Sequence, residues 1–149
     1  MPFDWQQPLL ETIVPLGVAA LVGALAGWGR EVQGKVAGLR THMLVSLGAA
    51  IFVLAAVQLS QETVGRKGIS VDTLRIIEGV ATGIGFLGTG SIIKARHKVE
   101  GVTTAASIWV TGTIGAACGA RLYLLAAAAA VLALLVLWPA EKLKSGALE

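Results

Sequence analysis

Five apolar segments, separated by short loops that carry most of the charge, constrain this chain more than any other feature of its sequence. Each segment has about 17–20 residues, close to the length that an α-helix needs to cross a hydrocarbon core about 30 Å thick. Only 14% of the residues are charged and 55% are hydrophobic, whereas soluble domains carry about 25% charged residues. The sequence therefore predicts an all-α membrane protein with five transmembrane helices. These lie at about residues 12–28, 41–59, 76–93, 102–120 and 122–138.

The Lys and Arg residues are distributed unevenly between the two sides that five such helices create. Eight of the 12 fall in the loops 29–40 and 94–101 and in the tail 139–149, which lie on one side. The other side holds four, in the loop 60–75 and at Arg121. Because cytoplasmic loops carry an excess of basic residues, we expect the N-terminus outside the cytoplasm and the C-terminus inside it.

The third apolar segment contains a polar stripe and a set of small residues. Glu78, Thr82 and Thr89 recur at helical spacing, so they share one face of a helix. Glycines allow the backbone of another helix to approach closely. The glycines expected to make such contacts are Gly79, Gly83, Gly85, Gly88 and Gly90. The pattern predicts a helix at the centre of the bundle that also contacts a second copy of the chain.

The fourth apolar segment carries a similar stripe of small polar residues, Thr104, Ser107 and Thr111. The fifth segment has no polar stripe, which predicts a peripheral helix that faces lipid. Two interpretations of the stripes remain open. They either line a path for a cation between the third and fourth helices, or they are surfaces on which helices pack.

The two cytoplasmic loops resemble each other at an offset of 63 residues, with the shared pattern K-V-x-G-[LV]-x-T beginning at Lys35 and at Lys98. This repeat predicts two parallel helical hairpins related by an axis along the membrane normal, with the fifth helix outside the repeat. In each loop a glycine precedes a threonine, and threonine is a good N-cap for the following helix. The loops are therefore either capped and anchored turns or sites for a lipid phosphate.

Two carboxylates lie at the outer end of the third segment, Asp72 and Glu78. Oxygen ligands suit magnesium, which is often held by only one or two carboxylates, so these residues are the candidate metal ligands. Arg75, between them, gives the alternative of an ion pair with Glu78. The chain has one cysteine and shows no catalytic Ser/His/Asp pattern. We therefore expect no enzyme activity, no cofactor other than magnesium as a ligand or substrate, and no nucleic-acid partner.

Three ordered motifs resemble those of the MgtC/SapB family. They are GRE at residues 29–31 continuing into GK-x-AGLRT, GIGFLG-x-G at residues 83–90, and GVTTAASIW at residues 101–109. The candidate site residues in the two cytoplasmic motif loops are Arg30, Glu31, Lys35, Gly38, Arg40, Thr41, Lys98, Gly101, Thr103 and Thr104. The resemblance covers roughly residues 15–120. It implies a multi-pass protein of the bacterial inner membrane that is tied to magnesium limitation, acid tolerance or virulence.

Some MgtC-type proteins continue into a cytoplasmic domain after the fifth helix, whereas this sequence ends at Glu149, so we expect a transmembrane domain alone. The resemblance leaves two hypotheses for function. One is cation transport in magnesium homeostasis. The other is a non-transporting module that binds and modulates another membrane protein, such as the ATP synthase, through its glycine-rich helix faces. Under both we expect a homo-oligomer, with a dimer favoured, embedded in a lipid bilayer.

Overall fold

The computed structural model describes residues 6–63, 72–95 and 98–137, which form five helices and one short hairpin. The predictions for loop residues 64–71 and 96–97 and for the tail 138–149 concern residues outside the described ranges. The elements in chain order are α1 (Gln6–Val32), α2 (Leu39–Thr63), α3 (Thr73–Gly90), β1 (Ile93–Ala95), β2 (Lys98–Glu100), α4 (Val102–Gly119) and α5 (Tyr123–Leu137). Each predicted segment therefore overlaps one helix.

Two helices are long and apolar enough to cross a bilayer by length and composition, over Leu9–Val32 and Leu39–Glu62. The apolar helix α5 is shorter. Among the described residues, α3 and α4 do not meet the same limits of length and apolar composition. The membrane crossing of α3, α4 and α5, like the orientation of the chain, stays a prediction.

The loop between α3 and α4 contains secondary structure that the sequence analysis did not predict. Strands β1 and β2 are antiparallel, with Ile93 opposite Glu100 and Ala95 opposite Lys98. Helix α3 ends at Gly90 rather than at residue 93, because the backbone N–H and hydroxyl of Ser91 both bond to the carbonyl of Gly88. The β-branched residues that follow favour extended backbone over helix.

Helix α4 is the centre of the bundle, since it contacts each of the other four helices. Half of its residues are buried, whereas only Ile84 and Gly88 are buried in α3. The prediction that α3 shares the central position with α4 is wrong for the single chain. Helix α3 lies at the edge, where it packs on α4 and α2 through one face only.

Glycines allow α1, α2 and α4 to pack backbone to backbone. A Cβ atom at Gly115 would collide with the backbone of Ser46, and one at Gly119 would collide with the backbone of Ala50. On α1, a Cβ atom at Gly23 would lie 2.6 Å from the carbonyl oxygen of His42 on α2. The three helices consequently form a closely packed unit.

The turn from α4 to α5 depends on Arg121, which has a left-handed backbone with φ of 62°. Its N–H and that of Leu122 bond to the carbonyls of Cys118 and Ala117, each at 2.9 Å, which closes the end of α4. The Arg121 side chain donates to the carboxylate of Glu11 on α1 at 3.0 Å. The residue therefore ends one helix and links it to another.

We expect Arg121→Gly to have a higher free energy of unfolding than Arg121→Ala, by about 1 kcal/mol. The reason is that left-handed backbone is unfavourable for alanine, which has a Cβ atom, but not for glycine. Both variants lose the same ion pair to Glu11, so that loss cancels in the comparison. Thermal unfolding of the two purified variants in the same detergent measures the difference. An alanine variant at least as stable as the glycine variant would contradict the left-handed turn.

Candidate functional site

Arg30 lies in the last turn of α1, and its side chain is buried against α4. Its Nη2 donates to the hydroxyl of Thr104 at 2.5 Å, and its Nε donates to the carbonyl of Ala37 at 3.4 Å. The residue is only 3% exposed. A cation in the last turn of a helix interacts favourably with the helix dipole. A buried guanidinium thus joins α1, the loop before α2, and the first turn of α4.

His42 lies in the first turn of α2 and is fully buried. Its Nδ1 is 2.8 Å from the carbonyl oxygen of Gly38, which can only accept, so Nδ1 carries a hydrogen. Its Nε2 is 3.1 Å from the hydroxyl of Ser107, which is also 2.8 Å from the carbonyl of Thr104. Because a hydroxyl has one hydrogen, Ser107 donates to either His42 or the Thr104 carbonyl, but not to both.

We refer to Arg30, His42, Thr104 and Ser107 as the polar cluster. His42 was not among the site residues predicted from the sequence. A usable signal was present: His42 is an ionisable residue inside a predicted span, and such residues are usually functional. Thr104 and Ser107, predicted as members of a polar stripe, lie in the cluster.

Glu31 performs the capping that the sequence analysis assigned to threonines. Its Oε2 accepts from the backbone N–H of Leu39, the first residue of α2, at 2.9 Å. A side chain at Gly38 would collide with this carboxylate. The N-cap of α4 is Gly101, with φ of 91° and no side-chain cap. The prediction of threonine N-caps is therefore wrong for α4, where Thr104 accepts from Arg30 instead.

Most of the remaining predicted loop residues lie at the surface. Lys35, Arg40, Thr41 and Thr103 are exposed. The backbone of Lys98 belongs to β2, and its side chain lies outside the described residues. Helices α2 and α4 begin at Leu39 and Val102, which reproduces the offset of the two similar loops. The loops themselves differ, because only the second contains a hairpin.

The polar stripe of α4 is buried inside the bundle. Thr104, Ser107 and Thr111 are 5%, 4% and 2% exposed. Alongside the stripe, the hydroxyl of Ser46 on α2 donates to the carbonyl of Ala19 on α1 at 2.7 Å. Hydroxyls that bond between helices satisfy polar groups inside a packed bundle. In the single chain this stripe lies along a closed seam.

The polar stripe of α3 lies on the outside of the bundle. Glu78, Thr82 and Thr89 are exposed, and the two threonine hydroxyls donate to carbonyls of their own helix, at 2.8 Å and 2.9 Å. We define the outer face of α3 by its exposed residues Arg75, Glu78, Gly79, Thr82, Phe86, Thr89 and Gly90. Because this face points away from α4, the two stripes do not line a common path within one chain.

Of the five glycines predicted to pack, Gly88 makes a close contact within the chain. A Cβ atom there would lie 3.3 Å from the carbonyl oxygen of Ala105. A Cβ atom at any of the other four would meet nothing within 4 Å; these are Gly79, Gly83, Gly85 and Gly90. Their predicted packing role therefore requires another molecule. Next to Gly79 and Gly83, an apolar groove of about 580 Å³ separates α3 from α2.

Asp72 and Glu78, the candidate metal ligands, have different surroundings. Oδ1 of Asp72 accepts from the backbone N–H groups of Leu74 and Arg75, at 3.1 Å and 3.2 Å, and so caps α3. Glu78 is exposed and lies six residues further along the chain. Within residues 6–63, 72–95 and 98–137, no three or more His, Cys, Asp or Glu side chains form a metal-binding group. Magnesium binding by this pair stays a prediction.

Comparisons with known proteins place these features in a family. The chain matches the model of the MgtC family over residues 16–145. It is 39% identical over 127 residues to YhiD of Escherichia coli K12, whose name describes it as a candidate magnesium transporter; the match covers 85% of this chain and 59% of YhiD. It is 39% identical over 115 residues to the protein SrpB of Synechococcus elongatus, covering 71% of this chain and 62% of SrpB.

A third relative is the protein MgtC of Brucella abortus, which is 38% identical over 125 residues, or 84% of this chain and 49% of that protein. The chain thus spans about half to three fifths of the length of these curated relatives. No solved structure matches it significantly. The family match covers most of the sequence, including the polar cluster and the outer face of α3. This chain belongs to the MgtC family.

Proposed function

We propose that the chain is a membrane domain that crosses the bacterial inner membrane five times and serves magnesium homeostasis. Membership of the MgtC family and the name of the relative YhiD support the link to magnesium. The two long apolar helices and the apolar helix α5 support the membrane placement. The excess of basic residues on the side of Arg30 supports a cytoplasmic position for the polar cluster.

Within this role, the chain acts by contacting other membrane helices rather than by conducting ions through its own interior. The observation that carries this proposal is the burial of Thr104, Ser107 and Thr111 in the seam of α4. Arg30 and His42 use the first two of these residues to hold three helices together. The outer face of α3, in contrast, is open to a partner.

Growth of a bacterial strain that lacks this gene, in medium with limiting magnesium, tests the physiological role. We expect poorer growth than in the parent strain and recovery when the chain is expressed again. Purified protein in liposomes tests the mode of action, and here we expect no protein-dependent flux of magnesium or protons. Normal growth of the strain lacking the gene would contradict the role, and magnesium flux would contradict the mode.

Cation transport along the outer face of α3 is the second candidate function. It is favoured by the line of Glu78, Thr82 and Thr89 on an exposed face, which in an oligomer would border a space between copies. A carboxylate inside a membrane segment is costly and commonly marks an ion pathway. The name of YhiD is in keeping with this alternative.

Glu78→Gln separates the two candidates. If the chain acts by contact, the variant supports growth in limiting magnesium like the unaltered chain, because an exposed carboxylate contributes only about 0–1 kcal/mol to stability or binding. If the chain transports a cation past Glu78, growth and flux are lost together. Glu62→Gln, the same change at an exposed carboxylate of α2 outside this line, is the matched control. Magnesium flux in the unaltered chain that is lost together with growth in Glu78→Gln would refute the contact mode.

A further inference from the structure

We infer that the groove between α2 and α3 binds one acyl chain of an anionic phospholipid from the cytoplasmic leaflet, and that the lipid phosphate contacts Arg40 and Thr41. The inference rests on the proposed membrane placement and orientation, because the groove would meet no lipid in water. It goes beyond them by assigning a ligand and the residues that bind it. The phosphate sites considered from the sequence, in contrast, used the first backbone N–H groups of a helix and no groove.

The first step is the composition of the groove. Its lining consists of aliphatic side chains, one aromatic ring and three glycines, which are Gly48, Gly79 and Gly83. A Cβ atom at any of these glycines would meet nothing within 4 Å, so each glycine leaves space instead of fitting against a neighbouring backbone. The groove, about 580 Å³ in volume, therefore offers van der Waals contact and no hydrogen-bonding side chain. Such a surface suits a hydrocarbon chain.

The second step is the length and depth of the groove. It runs from Leu44 to Phe52 on α2 and from Leu87 back to Ile76 on α3. At a rise of about 1.5 Å per residue these stretches are about 12 Å and about 16 Å long, and half of a hydrocarbon core is about 15 Å thick. Leu44 and Leu87 both lie close to the cytoplasmic ends of their helices, Leu39 and Gly90. The groove thus matches one acyl chain of the cytoplasmic leaflet.

The third step is the polar mouth of the groove. Arg40 lies one turn before the lining residue Leu44 on the same side of α2, and Thr41 lies beside it. Both side chains are exposed, and neither forms a hydrogen bond or an ion pair with another residue that the structure describes. The carboxylate of Glu31 accepts from the first N–H of α2. A guanidinium and a hydroxyl are thus left to donate to phosphate oxygens.

The fourth step is charge, which distinguishes the two ends of the groove. At the outer end, Arg75 lies close in sequence to two exposed carboxylates, Asp72 and Glu78, so acidic groups outnumber basic ones there. At the cytoplasmic end, Arg40 belongs to the side that carries the excess of basic residues. Basic residues at the membrane surface attract anionic lipids. The ligand is therefore an anionic lipid of the cytoplasmic leaflet rather than a zwitterionic lipid or one of the outer leaflet.

Binding of two lipids that share their acyl chains tests the mouth of the groove. The purified chain in detergent is titrated with dioleoyl phosphatidylglycerol or dioleoyl phosphatidylcholine, and native mass spectrometry counts the bound lipid. We expect phosphatidylglycerol to bind about fivefold more tightly, the factor that one basic residue contributes at a membrane surface. Arg40→Ala should abolish this preference, whereas Arg75→Ala, the matched control at the outer end, should keep it. Equal binding of the two lipids by the unaltered chain, or the same preference in both variants, would overturn the inference.

A second variant tests the groove itself and does not depend on the charge. Gly48→Leu places a side chain in the open space, and leucine also favours helix over glycine. In phosphatidylcholine vesicles that contain phosphatidylglycerol with a photoreactive acyl chain, we expect light to label α2 and α3 of the unaltered chain. Gly48→Leu should lose this labelling, and Gly17→Leu on α1, where the space is also open, should retain it. Equal labelling of α5, or unchanged labelling in Gly48→Leu, would contradict the site.

The outcome is separable from the proposed function. A chain that prefers phosphatidylglycerol and is labelled along the groove, but does not affect growth in limiting magnesium, would refute the magnesium role and retain the lipid site. A chain that restores growth but binds the two lipids equally would refute the lipid site and retain the role.

Discussion

Arg30→Ala is expected to lower the free energy of unfolding by about 3 kcal/mol, because it leaves buried hydrogen-bonding groups without their donor and removes the packing of a long side chain. In the folded chain Arg30 donates to Thr104 and to the carbonyl of Ala37 and is only 3% exposed. Denaturant unfolding in detergent micelles, followed by circular dichroism, measures the loss. We expect the variant to accumulate poorly in membranes as well.

Arg40→Ala is the matched control for Arg30→Ala. It removes the same charge near the same end of the bundle, but Arg40 is exposed, so we expect a change within about 0.5 kcal/mol. Thr104→Val extends the test as a double-mutant cycle, in which two contacting residues should couple by about 1 kcal/mol. Equal losses for Arg30→Ala and Arg40→Ala, or additivity of Arg30→Ala with Thr104→Val, would refute the buried contact.

Gly115→Ala is the other substitution with a large expected effect. The added methyl group would collide with the carbonyl oxygen, carbonyl carbon and Cα of Ser46. Because all three atoms belong to the backbone of α2, no side-chain rotation relieves the collision, and α2 and α4 must separate. Overpacking of this kind costs about 3 kcal/mol, although alanine alone would favour helix over glycine by about 1 kcal/mol.

Gly83→Ala is the control for Gly115→Ala. The same methyl group at residue 83 meets nothing within 4 Å inside the chain, so only the helix-favouring effect of alanine remains. We therefore expect Gly83→Ala to be at least as stable as the unaltered chain in detergent, and Gly115→Ala to be clearly less stable. Two variants with the same unfolding midpoint would contradict the close approach of α2 and α4.

The sequence was sufficient to locate the helices, but not to orient the third one. The stripes of α3 and α4 look alike as strings, since each repeats small polar residues at helical spacing. Periodicity shows which residues share a face, but not which neighbour that face meets. The glycines differ in what they contact: Gly115 and Gly119 of α4 fit against the backbone of α2, whereas Gly79 and Gly90 of α3 face open space.

The candidate site could be predicted only in part, again because local patterns do not show which helices meet. Arg30, Glu31, Thr104 and Ser107 were identified from the motifs or the stripe, but their pairings join residues that are far apart in sequence. Glu31 bonds to Leu39 across a loop, and Arg30 bonds to Thr104 on another helix. Such contacts depend on how helices pack, which local patterns do not specify. The contact of His42 with Ser107 on α4 depends on helix packing in the same way.

Cys118 tests, without any substitution, whether the polar stripe of α4 is a closed seam or an ion path. This cysteine lies on α4 in line with the stripe and is 0% exposed. We expect a charged, water-soluble maleimide to leave Cys118 unmodified in native membranes and to modify it fully after unfolding in denaturant. Rapid modification in native membranes, slowed by added magnesium, would show a water-filled path along α4 and would contradict the closed seam.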